Sequence, residues 1–155
     1  MKTLTLESLT EPMVEALGAR IAQRLFPGAF LALFGGLGAG KTAFTRALAA
    51  ELGIAGVASP TFTIVHEYEG LLPLFHFDAY RLASEDELYA IGFDDYLARR
   101  GIIAMEWCEN VPGALPRERL ELHLSGSGME PRMAALAAYG ARYEAILDEL
   151  EGFSV

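Results

Sequence analysis

Apolar and polar residues alternate at the start of the chain and then change to a helical spacing. The alternation covers "MKTLTLES", residues 1–8, and is typical of a strand with one buried face. From Met13 through Leu25 the apolar residues recur every three or four positions, which predicts an amphipathic helix. Ser8 followed by Glu11 resembles a capping box, so we expect Ser8 to cap this helix.

A continuous apolar run leads through a loop into a second helix-like segment. The run "AFLALF", residues 29–34, contains no polar position, as expected of a strand that helices cover on both faces. After a glycine-rich loop, "KTAFTRALAAELG" predicts a helix that ends at Gly53. The glycine-rich loop therefore joins the end of a buried strand to the start of a helix.

The middle of the chain predicts two strands, two short helices and a further buried strand. "SPTFTIVHEYEG" and "LLPLFHFDAYRL" are strand-like and are joined around Glu69 and Gly70, as in a hairpin. Ser84 with Glu87 indicates the start of a helix, and "DDYLARR" predicts another short one. "GIIAMEW" predicts a buried strand that ends on an acidic residue.

The last part of the chain predicts an edge strand and a final helix, with one ambiguous segment between them. "RLELHL" alternates like an edge strand, and "ARYEAILDELEG" has amphipathic helical spacing. The alanines of "PRMAALAAYG" favour a helix, whereas its place after an "SGSG" turn favours a hairpin strand. Together the segments predict one α/β domain over residues 1–155, with three layers and a mostly parallel sheet extended by antiparallel hairpins.

Composition and charge narrow the class of protein. Hydrophobic residues make up 52% of the chain and charged residues 21%, which suits a globular domain. We see no secretory signal and no apolar run near the roughly 18 residues of a membrane span, and the single cysteine, Cys108, fits a reducing cytoplasm. The net charge is −9 with scattered basic residues, so we do not expect tight direct binding of nucleic acid.

The glycine-rich loop matches a phosphate-binding motif. Gly35, Gly40, Lys41 and Thr42 satisfy G-x-x-x-x-G-K-[ST] between a predicted strand and a predicted helix, which is the context that the motif requires. Lys41 is one of two lysines against ten arginines, and a phosphate cradle needs a slim ammonium. The motif predicts a P-loop fold in which Lys41 and the loop amides bind nucleotide phosphates. The candidate nucleotide-binding residues of the loop are Gly35, Gly36, Leu37, Gly38, Ala39, Gly40, Lys41, Thr42 and Ala43.

Two acidic residues end two strand-like runs and are candidate magnesium ligands. Asp78 follows "LLPLFHF" and Glu106 follows "GIIAM". With the Thr42 hydroxyl, either acid could hold Mg²⁺ while the other orients the attacking water, and the sequence leaves this division open. Lys41, Asp78 and Glu106 are therefore the candidate catalytic residues.

Other chemistry-bearing residues give weaker indications. The loop "SPTFT", residues 59–63, carries hydroxyls that could contact a γ-phosphate or a metal. His66, His76 and His123 are dispersed and are expected to be structural. For Trp107 and Cys108 we expect packing in the core or in a pocket wall.

Four segments in order resemble the TsaE (YjeE) family of bacterial ATPases. They are "GGLGAGKT", "SPTFT", "HFDAYRL" and the "EW" pair with Glu109, and the resemblance runs from about residue 13 to residue 132. It implies a small P-loop ATPase that uses ATP and Mg²⁺ in threonylcarbamoylation of adenosine 37 of tRNAs that read ANN codons. It also implies TsaB and TsaD as protein partners. Because the chain is acidic, we expect it to meet tRNA only through these partners, and we expect a cytoplasmic protein that is a monomer when alone.

The resemblance assigns roles to individual residues. Lys41 and the loop amides hold phosphates, Thr42 binds Mg²⁺, Asp78 is the Walker-B-like acid and Glu106 is the essential acid near the metal. Thr61 and Thr63 lie in a switch-like loop, and Arg132 matches a C-terminal basic position that reaches the nucleotide. The chain departs from the family at Gly36, commonly Asp, near Val14, where a Thr is frequent, and at Cys108, often Pro.

Two other functions use the same phosphate cradle. A small-molecule kinase would carry an arginine-bearing lid, for which Arg99 and Arg100 are the candidates. A nucleotide-gated binding module would bind ATP with negligible turnover. A GTPase is less favoured because the sequence contains no N-K-x-D segment.

Overall fold

The computed structural model describes residues 1–36, 38–57 and 64–153. Strands and helices alternate along most of this chain, as predicted. The strands are β1 (Lys2–Leu9), β2 (Phe30–Phe34), β3 (Val65–Tyr68), β4 (Leu74–Asp78), β5 (Ile102–Glu106), β6 (Arg119–Ser125) and β7 (Arg132–Tyr139). The helices are α1 (Glu11–Ala22), α2 (Lys41–Glu51), α3 (Glu85–Ala90), α4 (Phe93–Ala98) and α5 (Ala141–Leu150), and two 3₁₀ turns, Cys108–Asn110 and Pro112–Ala114, follow β5.

Within the described residues the strands form a single sheet in the order β1-β7-β6-β2-β5-β4-β3. The central strands β6, β2, β5 and β4 are parallel, whereas β3 pairs antiparallel with β4, and β7 pairs antiparallel with both β6 and β1. The α/β class, with a parallel centre and antiparallel additions, is therefore confirmed.

Two predictions about the C-terminal strands are decided by this order. The prediction of an edge strand at "RLELHL" is wrong, because β6 pairs with β2 on one side and with β7 on the other. Its alternation has another cause: Leu120, Leu122 and Leu124 lie in the core while His123 and Ser125 face outward. The ambiguous segment "PRMAALAAYG" forms the hairpin strand β7 and not a helix.

Helices cover the two faces of the sheet unequally. On one face α1, α2 and α5 pack with alternate residues of the strands into the larger core cluster, which includes Leu17, Phe44 and Leu147. On the other face α3 and α4 cover the half of the sheet around β5 and β4, with Phe93 at the centre of an aromatic cluster. These layers account for the uninterrupted apolar sequences of β2 and β5.

The start of α1 differs from the prediction. The N-cap is Thr10, whose hydroxyl accepts a hydrogen bond from the Met13 amide at 3.3 Å. Ser8 lies in strand β1, at a register irregularity between Leu6 and Leu9, and has a positive φ of 58°. The Ser8 cap was wrong because pairing with β7 extends β1 through Leu9 and leaves the cap to the next hydroxyl.

The described part of the chain contains no helix that is long and apolar enough to cross a membrane.

Two adjacent glycines after β2 should respond differently to substitution. Gly35 has φ of 151°, and a Cβ there would lie 2.7 Å from the Leu124 carbonyl oxygen of β6. A Cβ on Gly36 would meet no atom within 4 Å in the described part of the chain. We expect Gly35→Ala to lower the free energy of unfolding by roughly 1–3 kcal/mol, and Gly36→Ala to raise it by about 0.4–1 kcal/mol.

Urea denaturation of the nucleotide-free protein measures both changes, and Gly36→Ala is the matched control. Equal destabilisation by the two substitutions would contradict the steric argument, because only Gly35 approaches the neighbouring strand.

Candidate functional site

The described residues of the glycine-rich loop, on either side of position 37, lie between the end of β2 and the start of α2. Gly35, Gly38 and Gly40 have positive φ values, and Gly40 is the N-cap of α2 without a side-chain cap. The first backbone bond of the helix runs from the Phe44 amide to the Gly40 carbonyl at 2.9 Å. The amides of residues 41–43 therefore have no acceptor within the helix, and together with the helix dipole they suit an anion. The predicted loop residue Leu37 lies outside the described residues.

The Lys41 ammonium lies in the interior beside this loop. Its Nζ is 3.7 Å from Glu106 Oε1, and the side chains are only 7% and 6% exposed. The same Nζ lies 4.4 Å from the centre of the Trp107 ring, which is a cation–π contact. The cation at the entrance of α2 is thus held between a carboxylate and an aromatic face.

The strand pairing brings Asp78 and Glu106 together. They are directly opposite each other at the carboxyl ends of the parallel strands β4 and β5, so their side chains share one face of the sheet. The Ala79 amide donates to the Glu106 carbonyl at 3.0 Å, and the Asn110 side-chain amide donates to the carbonyls of Ala79 and Tyr80. These bonds tie the two strand ends to each other, so the backbone positions from which the two acids project are fixed relative to each other.

His76 is a buried neighbour of this pair that the sequence analysis grouped with the structural histidines. Its Nε2 lies 2.7 Å from Glu106 Oε2, and the residue is 1% exposed. His76 precedes Asp78 by two positions on β4, so both side chains lie on the same face. The i, i+2 spacing was visible in the sequence, but the neighbouring strand that carries Glu106 was not.

The two carboxyl groups have opposite pKa shifts. Burial by itself raises the pKa of Glu106, but the hydrogen bond from His76 and the charge of Lys41 outweigh it, so that its pKa lies below its usual value. Burial raises the pKa of Asp78, the Tyr80 amide opposes this through a 2.9 Å hydrogen bond, and the Glu106 charge raises the pKa further. Glu106 is therefore the stabilised anion of the pair, and Asp78 carries a penalty for ionisation.

The other residues predicted for the site are Thr42, Arg132 and Thr61. Thr42 is the second residue of α2 and is partly buried. The Arg132 guanidinium donates to the Gly38 carbonyl at 3.2 Å, and also to the carbonyls of Gly128 and Glu130, so that β7 contributes a cation to the loop. Thr61 and the rest of the switch-like loop lie outside the described residues.

The two residues after Glu106 differ in their surroundings. Trp107 has a positive φ of 61° and packs its ring against Tyr80, with ring centres 4.8 Å apart, as well as against Lys41. It forms a wall of the site, one of the two packing places expected for it. Cys108 is buried and donates to the Met105 carbonyl at 3.1 Å, and burial raises the pKa of its thiol, which disfavours a nucleophilic thiolate.

The described residues contain no group of three or more His, Cys, Asp or Glu side chains that could hold a metal ion by themselves. A divalent cation at Asp78 and Glu106 would therefore need further oxygen ligands. The Thr42 hydroxyl and the phosphates of a nucleotide are ligands of the kind that Mg²⁺ uses with one or two carboxylates.

The raised pKa of Asp78 has a consequence for stability. The folded protein binds a proton at Asp78 more tightly than the unfolded chain does. The free energy of unfolding therefore falls as the pH rises from the pKa of Asp78 in the unfolded chain, about 4, through its pKa in the folded protein. The penalty is then fully present at neutral pH. Asp78→Asn keeps an oxygen for the Tyr80 amide and removes the charge, so it should raise the free energy of unfolding at pH 7.5.

Urea denaturation in EDTA, repeated at decreasing pH, measures this effect. The gain should shrink towards zero as the pH approaches about 4. The exposed residue Glu15 on α1 provides the control Glu15→Gln, which should leave stability unchanged. An Asp78→Asn protein that is less stable than the wild type at pH 7.5 would contradict the account.

Comparison with known proteins places the chain in a family. The family model described as "Threonylcarbamoyl adenosine biosynthesis protein TsaE" matches residues 9–134. A relative named tRNA threonylcarbamoyladenosine biosynthesis protein TsaE from Bacillus subtilis strain 168 is 40% identical over 152 residues, covering 97% of this chain and 95% of the relative. A relative of the same name from Streptomyces coelicolor is 42% identical over 113 residues, covering 70% and 76%.

A solved structure agrees with these matches. The crystal structure of Bacillus subtilis YdiB aligns with a TM-score of 0.82 and 36% sequence identity, over 97% of this chain and 95% of that one. Family model, sequence relatives and structural neighbour all extend over most of the chain. The chain belongs to the TsaE family.

Proposed function

We propose that this protein is a magnesium-dependent ATPase that supports a TsaB–TsaD complex in threonylcarbamoylation of adenosine 37 of tRNA. The single observation that carries the proposal is the buried ammonium of Lys41, the first residue of α2, whose Nζ lies 3.7 Å from the Glu106 carboxylate. The names of the relatives, which specify biosynthesis of tRNA threonylcarbamoyladenosine, supply the pathway.

The loop residues suit the binding of nucleotide phosphates. The amides of residues 41–43 point out of the helix without intrahelical acceptors, and Lys41 has a flexible stem that can turn from Glu106 towards an anion. Phosphate oxygens would replace the Glu106 carboxylate as the partner of the ammonium. Arg132, which contacts the Gly38 carbonyl, adds a second cation next to the loop.

The acids suit a metal and a water molecule. When bound, Mg²⁺ would neutralise phosphate charge and lower the barrier to transfer of the γ-phosphoryl group to water. Thr42, Asp78 and Glu106 are the residues that would hold it. The two carboxylates would share the tasks of holding the cation and orienting the attacking water, and the lowered pKa of Glu106 keeps that group ionised, so that it can accept a hydrogen bond from the water.

The contacts of Arg99 and Arg100 count against the kinase alternative. Arg100 donates to the Pro27 carbonyl at 3.2 Å, and Arg99 pairs with Glu67 at 2.7 Å. Both arginines come just before β5, whereas the glycine-rich loop comes just after β2. Because β2 and β5 are parallel, the arginines and the loop lie at opposite ends of these strands. They are therefore poorly placed to serve as a lid over a nucleotide.

The acidic composition supports a protein partner in place of direct tRNA binding. With a net charge of −9 the isolated chain repels a polyanion, and we infer that it meets tRNA only through the TsaB–TsaD complex. We propose that it acts in the cytoplasm and is a monomer when alone.

The test is phosphate release by the protein alone, with TsaB–TsaD, and with TsaB–TsaD plus tRNA. We expect release to be stimulated by the partners, and Glu106→Gln and Asp78→Asn each to lower the stimulated rate by about tenfold or more. Calorimetry should still detect ATP binding in both variants, because the lysine and the loop amides remain.

Asp148→Asn is the matched control, since Asp148 pairs with Lys2 at the far end of α5. It should release phosphate at the wild-type rate. Absence of stimulation under every condition would remove the proposed function, and unchanged rates in both acid variants would remove the roles given to the two acids.

A further inference from the structure

Both oxygens of the Glu106 carboxylate have a partner in the described structure. Oε2 lies 2.7 Å from His76 Nε2, and Oε1 lies 3.7 Å from Lys41 Nζ. The two partners come from different elements, β4 and α2, and approach the carboxylate from different sides. In the proposed function the Lys41 ammonium turns from Glu106 to the phosphates, whereas His76 keeps its contact with Glu106.

We propose that His76 is a positioning residue, which holds Glu106 Oε2 so that Oε1 stays directed at the Lys41 side of the site. The inference rests on the proposed ATPase function, and it adds that the Glu106 carboxylate has a fixed orientation. His76 itself contacts no nucleotide in this account and acts only through Glu106.

The chemistry of the carboxylate partner supports a donor role for His76. An ionised carboxylate can only accept hydrogen bonds, so the short contact requires the hydrogen to be on Nε2. The other ring nitrogen, Nδ1, is buried and has no hydrogen-bond partner among residues 1–36, 38–57 and 64–153. Buried polar atoms are normally paired, so the bond from Nε2 to Glu106 is the hydrogen bond by which the described structure satisfies this buried ring.

The carboxylate needs such a restraint. The terminal torsion of a glutamate side chain is broad and roughly two-fold, so an unrestrained carboxylate would rotate once Lys41 leaves it. The fixed bond from His76 prevents this rotation, so Glu106 need not reorganise when phosphates bind. Fixing a group in advance of the reaction is a recurrent source of rate enhancement.

Three variants test the inference. His76→Leu removes the donor and leaves an apolar side chain in the core, whereas His76→Gln keeps an N–H donor at a similar reach from the backbone. His66 is the matched control, because it lies directly opposite His76 on β3 and contacts the Tyr68 hydroxyl.

In phosphate-release assays with TsaB–TsaD, we expect His76→Leu to lower kcat at least tenfold while KM for ATP stays within twofold. We expect His76→Gln to recover kcat to within threefold of the wild type, and His66→Leu to retain the wild-type kcat. A loss of kcat in His76→Leu that His76→Gln does not restore, in proteins with wild-type melting temperatures, would overturn the inference. Equal losses in His76→Leu and His66→Leu would also overturn it.

A measurement without nucleotide separates this inference from the proposed function. In ¹H–¹⁵N spectra of the imidazole rings, His76 should show a protonated Nε2 with a slowly exchanging proton, and Glu106→Ala should abolish the slow exchange. An unprotonated Nε2 would overturn the inference. If the wild type releases no phosphate, the proposed function fails, and the ring spectrum alone then decides whether His76 holds Glu106.

Discussion

The buried contact between the Lys41 ammonium and the Glu106 carboxylate is the interaction on which the rest of the site depends. A charge removed from water is costly unless an opposite charge lies close to it, and these two groups provide that for each other at 3.7 Å. In the nucleotide-free protein, Glu106 therefore occupies the place of a phosphate as the partner of the lysine. In the proposed function a phosphate would take Lys41 from Glu106, and a divalent metal would then supply the cation that Glu106 needs. One ion pair thus explains why a phosphate and a metal would bind here together.

The fold is arranged to hold these charges in place. The strands β2, β5 and β4 are parallel, so the glycine-rich loop, Glu106 and Asp78 all lie at the carboxyl ends of these strands. Hydrogen bonds from Ala79 and Asn110 lock the strand ends, and the α2 helix, packed in the main core, directs its first residue to the same place. The core thus supports the backbone of α2 and of the strands that carry the acids, so that in the proposed function Lys41 would turn while this backbone moves little.

Local patterns in the sequence predicted the loop and the acids but not their arrangement. The glycine loop, the strand before it and the helix after it follow from spacing alone, and so do the acids that end β4 and β5. That β5 lies between β2 and β4 is a property of tertiary packing, so the sequence could not show that Asp78 and Glu106 are neighbours. For the same reason the sequence does not show that His76 lies against Glu106. The alternation of β6 predicts an edge strand, but it comes from a sheet face that helices leave partly open.

The central claim is that nucleotide phosphates take the Lys41 ammonium from its place against Glu106 and the Trp107 ring. Trp107 is the only tryptophan of the chain, so its fluorescence reports on that ring alone. Titration with ATP should change the Trp107 emission saturably, with the dissociation constant found by calorimetry, whereas adenosine, which lacks phosphates, should cause no change. Calorimetric binding of ATP with unchanged Trp107 emission, or an equal response to adenosine, would contradict the account.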